Sequence, residues 1–286
     1  MFNKINQYLS LVKFAHTLFA LPFAFIGLFL AVRTENIHIN YLLGILVLLC
    51  MIFARNTAMA FNRFIDRNID KKNERTANRE IPAKTILPVN ALIFVILNAT
   101  LFIITTFFIN QLCFFLSPIA LLVIMGYSYT KRFTFLCHLI LGIGLSLAPI
   151  GAFIAVTGFF KLLPLLFSSM VLFWVSGFDI IYALQDVEFD KSQHLKSIPV
   201  KIGIANSLKV SLILHIITAI FVVFAGFYGH FGIYFWIGAT IFIFLLFYQH
   251  IIISSKDLSK INIAFFTTNG IASVLFAIFV IIAMYY

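Results

Sequence analysis

Runs of about 20 predominantly apolar residues, with at most an isolated charge, recur along almost the whole 286-residue chain and leave few folds open to it. A backbone inside a bilayer has to satisfy its own hydrogen bonds, so runs of this length are expected to cross as helices. About nine are present, near 11–32, 41–61, 88–109, 112–130, 135–157, 162–182, 207–228, 231–253 and 262–285. They are too long for barrel strands and do not alternate as barrel strands do. Composition agrees, with 62% hydrophobic residues and 10% charged, where a soluble domain carries about 25% charged. The expected fold is all-α: a polytopic membrane protein of about nine transmembrane helices around a central cavity. The first run lacks a small-residue cleavage site, so it reads as a membrane helix rather than a cleaved signal. Cys50, Cys113 and Cys137 each lie inside an apolar run, with no CxxC spacing and no disulfide framework.

Charge placement supports the count. With nine crossings the connections alternate between two sides, and one side collects all 20 basic residues except Arg33 and Lys161. That asymmetry is the positive-inside pattern. It places the N-terminus in the cytoplasm, the C-terminus opposite, and the chain in the cytoplasmic (inner) membrane among membrane lipids. The net charge of +10 is thereby explained, and nucleic acid is not expected as a partner. The same side also holds every acidic residue except Glu35, which positive-inside sorting does not require. A function has to account for the carboxylates.

Two acidic constellations stand out. The first reads Asn62-Arg63-Phe-Ile-Asp66-Arg67-Asn-Ile-Asp70, and its polar residues at i, i+4 and i+8 share one helix face. The second reads Asp179-Ile-Ile-Tyr182-Ala-Leu-Gln-Asp186-Val-Glu-Phe-Asp190, again with two carboxylates at i, i+4. Each closes an apolar run, which suggests one domain over 1–286 made of two pseudo-repeated halves, roughly 1–134 and 135–286, whose acidic helix ends face one another. Carboxylates stacked on one helix face repel. A hard divalent cation removes the penalty, and Mg2+ commonly binds one or two carboxylates plus phosphate oxygens. Acidic helix mouths flanked by Lys and Arg therefore suit a magnesium–diphosphate group. Ordinary solvated salt bridges would account for one such motif, but less readily for two at matching helix ends.

These motifs resemble the paired aspartate motifs of the UbiA superfamily of intramembrane aromatic prenyltransferases. The similarity extends to Arg55 seven residues before Asn62, to Thr76-x2-Arg79 with Pro82, to Tyr127-x3-Lys131-Arg132, and to Lys196-Ser197 with Gly203. The opening Lys13-Phe-Ala-His16-Thr17 resembles the quinone-pathway members, which prenylate 4-hydroxybenzoate or a dihydroxynaphthoate. Glu80 and Lys84 depart from that subgroup, standing where many members carry Pro and a small residue.

The resemblance implies transfer of a polyprenyl group from a polyprenyl diphosphate to a small aromatic acid, by Mg2+-dependent electrophilic aromatic substitution. Asn62, Asp66, Asp70, Asp186 and Asp190 are the candidate metal ligands, with Asp66 and Asp186 also central to catalysis. Arg63, Arg79, Lys131 and Arg132 are candidates for the diphosphate, with Tyr127 as a further substrate residue. Asp179 and Tyr182 are candidates to orient or deprotonate the acceptor. Arg55 lies deeper along the Asn62 face, where an unpaired arginine is costly, and the acceptor carboxylate is an attractive partner. Lys13 and His16, one turn apart on the first helix, are candidates for the same pocket. His138, His215 and His250 have no ligand-like neighbours in sequence and read as structural.

Two other classes fit the sequence less well. A secondary transporter for an anionic solute would show matched Gly/Pro breaks within its spans, which Pro22, Pro118, Pro149 and Pro164 do not provide. A CDP-alcohol phosphatidyltransferase would carry a D-G-x2-A-R opening, which is absent.

Overall fold

The computed structural model describes residues 2–13, 19–37 and 41–286. Its helices are α1 (Phe2–Leu11), α2 (Leu21–Glu35), α3 (Tyr41–Asp70), α4 (Pro88–Ile109), α5 (Gln111–Thr130), α6 (Cys137–Thr157), α7 (Leu162–Ala183), α8 (Val187–Ser192), α9 (Ile198–Tyr228), α10 (Ile233–Ile252) and α11 (Asn269–Ala283). A 3₁₀ turn at Leu184–Asp186 joins α7 to α8, and a π-helical segment at Ile263–Thr268 leads into α11. Among the described residues there is no strand, only an isolated bridge between Ser254 and Asp257. Among the described residues, eight helical stretches are long and apolar enough to cross a membrane. The chain is an integral, multi-pass helical membrane protein.

The expected first span, 11–32, differs from what forms. Helix α1 ends at Leu11, the chain turns at Val12 and Lys13, and α2 begins at Leu21. Pro22 accounts for part of this, because a residue without an N–H is tolerated in the first turn of a helix and disfavoured further in. The 15 residues of α2 rise about 22 Å, short of the roughly 30 Å hydrocarbon core.

The helices fall into two compact units. The first comprises 1–17 and 41–129. In it α3 lies along α4, and α1 touches α3. The buried core is Leu11, Ala60, Ile81, Ile86, Ala91 and Val95. Asn56 on α3 donates to Asn98 on α4 at 3.0 Å, a polar tie between two membrane helices. The 30 residues of α3 rise about 45 Å, so about ten of them extend beyond a 30 Å core. That overhang is the end bearing Asn62, Asp66 and Asp70.

The second unit comprises 18–40 and 130–286. Here α7 packs against both α6 and α9, and α2 lies along α6. The core is aromatic, with Phe23, Phe153, Phe167, Trp174, Phe242 and Phe276 all buried. Small residues set the closest approaches. A Cβ on Gly27 would stand 2.0 Å from the carbonyl oxygen of Pro149, so α2 and α6 touch backbone to backbone there.

The π segment is secured by one amide. Asn269 Nδ2 donates to the carbonyls of Ala264 and Phe265 at 2.9 and 3.0 Å. Its Oδ1 accepts from Trp174 Nε1 on α7 and Gln249 Nε2 on α10, both at 2.9 Å. All three side chains are fully enclosed.

Candidate active site

The first acidic motif forms as the spacing predicts. Asn62, Asp66 and Asp70 lie on consecutive turns of α3, and Asn62 Nδ2 donates to Asp66 Oδ2 at 3.0 Å. The chain after the helix folds back on its last carboxylate. Thr76 Oγ1 donates to the Asp70 carbonyl at 3.0 Å, and Arg79 Nη1 meets Asp70 Oδ1 at 2.6 Å. The T-x2-R spacing thus has a local reason: the hydroxyl closes the helix end and the arginine reaches the carboxylate. Arg63 is buried on α3 beside Asn62, while Arg67 lies over the Phe64 ring at 4.5 Å.

Glu80 and Lys84 occupy the same turn region. Glu80 accepts from Ser10 on α1, and its carbonyl accepts from Thr85 Oγ1 at 2.9 Å. Lys84 adopts φ 60°, the left-handed region that glycine occupies without penalty.

Arg55 is half-buried on α3, two turns before Asn62. Its Nη2 donates to the carbonyl of Lys13 at 2.9 Å and of Val12 at 3.5 Å, and its Nε is buried with no partner among the described residues. Lys13 therefore meets Arg55 through its backbone. It stands at φ 46° in the turn after α1, not within a membrane helix. His16 lies outside the described residues. Tyr127 is half-buried on α5.

In the second unit the acidic motif does not lie on one helix. Asp179 and Tyr182 are on α7, Asp186 ends the 3₁₀ turn, and Asp190 is on α8. Gln185 Nε2 donates to the Tyr182 carbonyl at 2.9 Å, which satisfies one acceptor where the helix tightens. Lys131 Nζ meets Asp190 Oδ2 at 3.1 Å. Burial works against the Lys131 charge, but the carboxylates of Asp190, Asp186 and Asp179 hold it above the usual lysine range. Lys196 N–H donates to the Lys131 carbonyl at 2.7 Å, which joins the two basic connections. Gly203 sits at φ 79°, ψ 168° inside α9, a conformation essentially confined to glycine. Arg132 is half-buried in the connection before α6. Tyr182 stacks on Phe265 with ring centroids 4.0 Å apart.

One partner was not visible in sequence. His138 Nδ1 lies 2.7 Å from Asp179 Oδ2 across α6 and α7. A histidine 41 residues from its carboxylate leaves no local pattern, and from sequence alone it reads as structural.

The candidate ligands suit magnesium, since Asn62, Asp66, Asp70, Asp186 and Asp190 all offer oxygen. Asp70 Oδ2 is buried without a hydrogen-bond partner, while its other oxygen is held by Arg79. A buried carboxylate oxygen left in this state is costly unless a ligand takes it up. No three His, Cys, Asp or Glu side chains converge among the described residues.

Carboxylates met by cations at helix ends of a multi-pass membrane protein define a framework for an anionic headgroup. Residues 20–284 match the UbiA prenyltransferase family. The chain is 31% identical over 236 residues to a 4-hydroxybenzoate octaprenyltransferase of Nitrosomonas eutropha, covering 82% of this chain and 81% of that one. It is 32% identical over 236 residues to the enzyme of the same name in Nitrosomonas europaea, covering 82% and 80%. Its fold aligns with the apo structure of a UbiA homolog from Aeropyrum pernix K1 at TM-score 0.85 and 26% identity, over 94% and 98% of the two chains. A UbiA homolog from Archaeoglobus fulgidus bound to GPP and Mg2+ shares the fold at TM-score 0.77 and 23% identity, over 98% and 100%. The protein belongs to the UbiA prenyltransferase family and is a prenyl-transferring enzyme, which sets the transporter reading aside.

Proposed function

We propose that this enzyme transfers a polyprenyl group from a polyprenyl diphosphate to an aromatic acid of the 4-hydroxybenzoate type, in ubiquinone or menaquinone biosynthesis. The observation that carries the reading is the end of α3, where Asp70 gives one oxygen to Arg79 and keeps the other buried and unclaimed. Asn62, Asp66, Asp70, Asp186 and Asp190 would hold Mg2+, with all of 1–286 acting as one domain. When bound, the metal supplies positive charge against the diphosphate oxygens as they depart. Arg63, Arg79, Lys131 and Arg132 add cationic donors to that headgroup, with Tyr127 beside them. Arg55 binds the acceptor carboxylate through the guanidinium edge that includes Nε. Asp179 receives the acceptor's phenolic proton and Tyr182 orients the ring, with Lys13 near the pocket.

In the reaction the C1–O bond to diphosphate breaks and a ring carbon of the phenolate bonds to C1; that carbon then loses its proton as the phenolic oxygen regains one from Asp179, so a single proton is released with the diphosphate. Apolar helices exclude the water that would otherwise trap the allylic cation. The names of the Nitrosomonas relatives support the acceptor class, and GPP with Mg2+ in the Archaeoglobus homolog supports the donor class.

The test is incubation of the purified protein with magnesium, geranyl diphosphate and a panel of aromatic acids, read by mass spectrometry. A geranylated 4-hydroxybenzoate is the expected product. Product from a dihydroxynaphthoate alone would move the enzyme to the menaquinone branch, and no prenylated acid at all would overturn the proposal.

We further propose that the N-terminus and the acidic helix ends are cytoplasmic, on the strength of the basic residues outside Arg33 and Lys161. Reporters fused to the two ends of the chain are expected to give opposite signals. Identical signals would mean an even number of crossings.

A further inference from the structure

Asp179 is not a free carboxylate on α7. Its Oδ2 lies 2.7 Å from His138 Nδ1, and exposure divides the pair sharply: the imidazole is 0% exposed and the carboxylate 19%. The histidine is sealed in while the acid opens outward. His138 Nε2 is buried with no partner. An enclosed N–H without an acceptor costs more than an enclosed lone pair, so the proton belongs on Nδ1, donated to Asp179.

The backbone fixes this encounter. A Cβ on Gly142 would collide with both the Leu172 carbonyl oxygen and Ser176 Oγ, so α6 and α7 are in close contact there. Ser176 Oγ lies 2.7 Å from the Leu172 carbonyl and 3.2 Å from the carbonyl of His138 itself. His138 stands one turn before Gly142, and Asp179 one turn after Ser176. The glycine contact therefore sets the depth at which imidazole and carboxylate face each other, and neither helix can slide without losing it.

We propose that His138 is the positioning residue of Asp179: a buried imidazole that holds one carboxylate oxygen and aims the other at the aromatic acceptor. This rests on the proposed function, which gives Asp179 the acceptor's proton. A carboxylate on a free χ angle samples several directions, whereas one anchored through Oδ2 presents Oδ1 in a single direction. The arrangement follows the logic of an outer partner orienting a working side chain, with the roles of imidazole and carboxylate exchanged.

The test uses the full chain in lipid nanodiscs with magnesium, geranyl diphosphate and the aromatic acid it prenylates best. His138→Leu is expected to lower kcat by about 100-fold, the scale of a lost proton-transfer contribution. The KM for geranyl diphosphate should stay within about twofold, since diphosphate binding is untouched. His138→Asn, whose amide N–H falls near the Nδ1 position, should recover about tenfold of that loss. On an Asp179→Asn background, His138→Leu should cost nothing further. An unchanged kcat in His138→Leu, or losses that multiply in the double variant, would overturn the proposal. If His138→Leu does not accumulate, His138→Gln, which moves the donor toward the Nε2 position, replaces it with the same expectations. A wild-type protein that prenylates no aromatic acid overturns the proposed function separately. The pair is then read from heat denaturation, where the His138→Leu shift in Tm should shrink on the Asp179→Asn background and equal shifts would refute the coupling.

Discussion

Asp66→Ala and Asp186→Ala are each expected to reduce prenyl transfer on the order of 10³-fold or more, the loss that follows when charge stabilisation at a departing group is removed. Folding should not suffer in parallel. Like charges on neighbouring helix turns repel, which offsets the lost Asn62–Asp66 hydrogen bond and the lost attraction of Asp186 for Lys131, so in metal-free protein Tm should change little. This divergence between activity and stability distinguishes a ligand-holding carboxylate from a structural one. Glu188→Ala is the matched control, because Glu188 is exposed and pairs only with Lys191 on its own helix turn. Chelation of the wild type should silence it and added magnesium restore it. Full activity in chelator, or Asp66→Ala activity equal to that of the control, would remove the carboxylates from the chemistry.

The second large effect is expected at Arg55. Its Nη2 is spent on the carbonyls of Lys13 and Val12, and its Nε waits in a buried position. A lysine can replace the charge but cannot hold the backbone carbonyls and a carboxylate with one planar fork. Truncating one partner of a buried charged pair costs about 2–5 kcal/mol, which corresponds to roughly 30- to 5,000-fold in affinity. Arg55→Lys should therefore raise the acceptor requirement by at least about 30-fold while magnesium-dependent binding of a non-reactive diphosphate analogue changes little. Should analogue binding collapse while acceptor dependence stays normal, Arg55 belongs with the diphosphate.

The parts legible in sequence are those governed by one helix at a time. The crossing helices follow from apolar run length, and α3 continues through Asn62, Asp66 and Asp70 because no Gly or Pro follows Gly44 before its end. The fold-back of Thr76 and Arg79 onto Asp70 is local enough to leave a fixed spacing. Where two distant helices meet, the signal disappears. His138 and Asp179 are ordinary residues in separate apolar runs until Gly142 brings them together. The 3₁₀ turn at Leu184–Asp186 was equally hidden, since an i, i+4 pair of aspartates looks the same on an unbroken helix. At the first span, apolarity alone continued the run through Val12 and Lys13, where the backbone turns.

The π segment before α11 carries a consequence of a different kind. One surplus residue sits in a turn at Ile263–Thr268, and the amide of Asn269 makes it tolerable. Removing a single residue there would let an ordinary α-helix form, which the local backbone prefers. Every side chain beyond it would then swing by about 100° around the axis. Ala272, Phe276 and Val280, now enclosed in the core, would be turned away from it. Lengths of surface connections drift readily between relatives, but this segment works as a phase-setting spacer. Its residue count, more than its residue types, is the quantity that descent has to preserve.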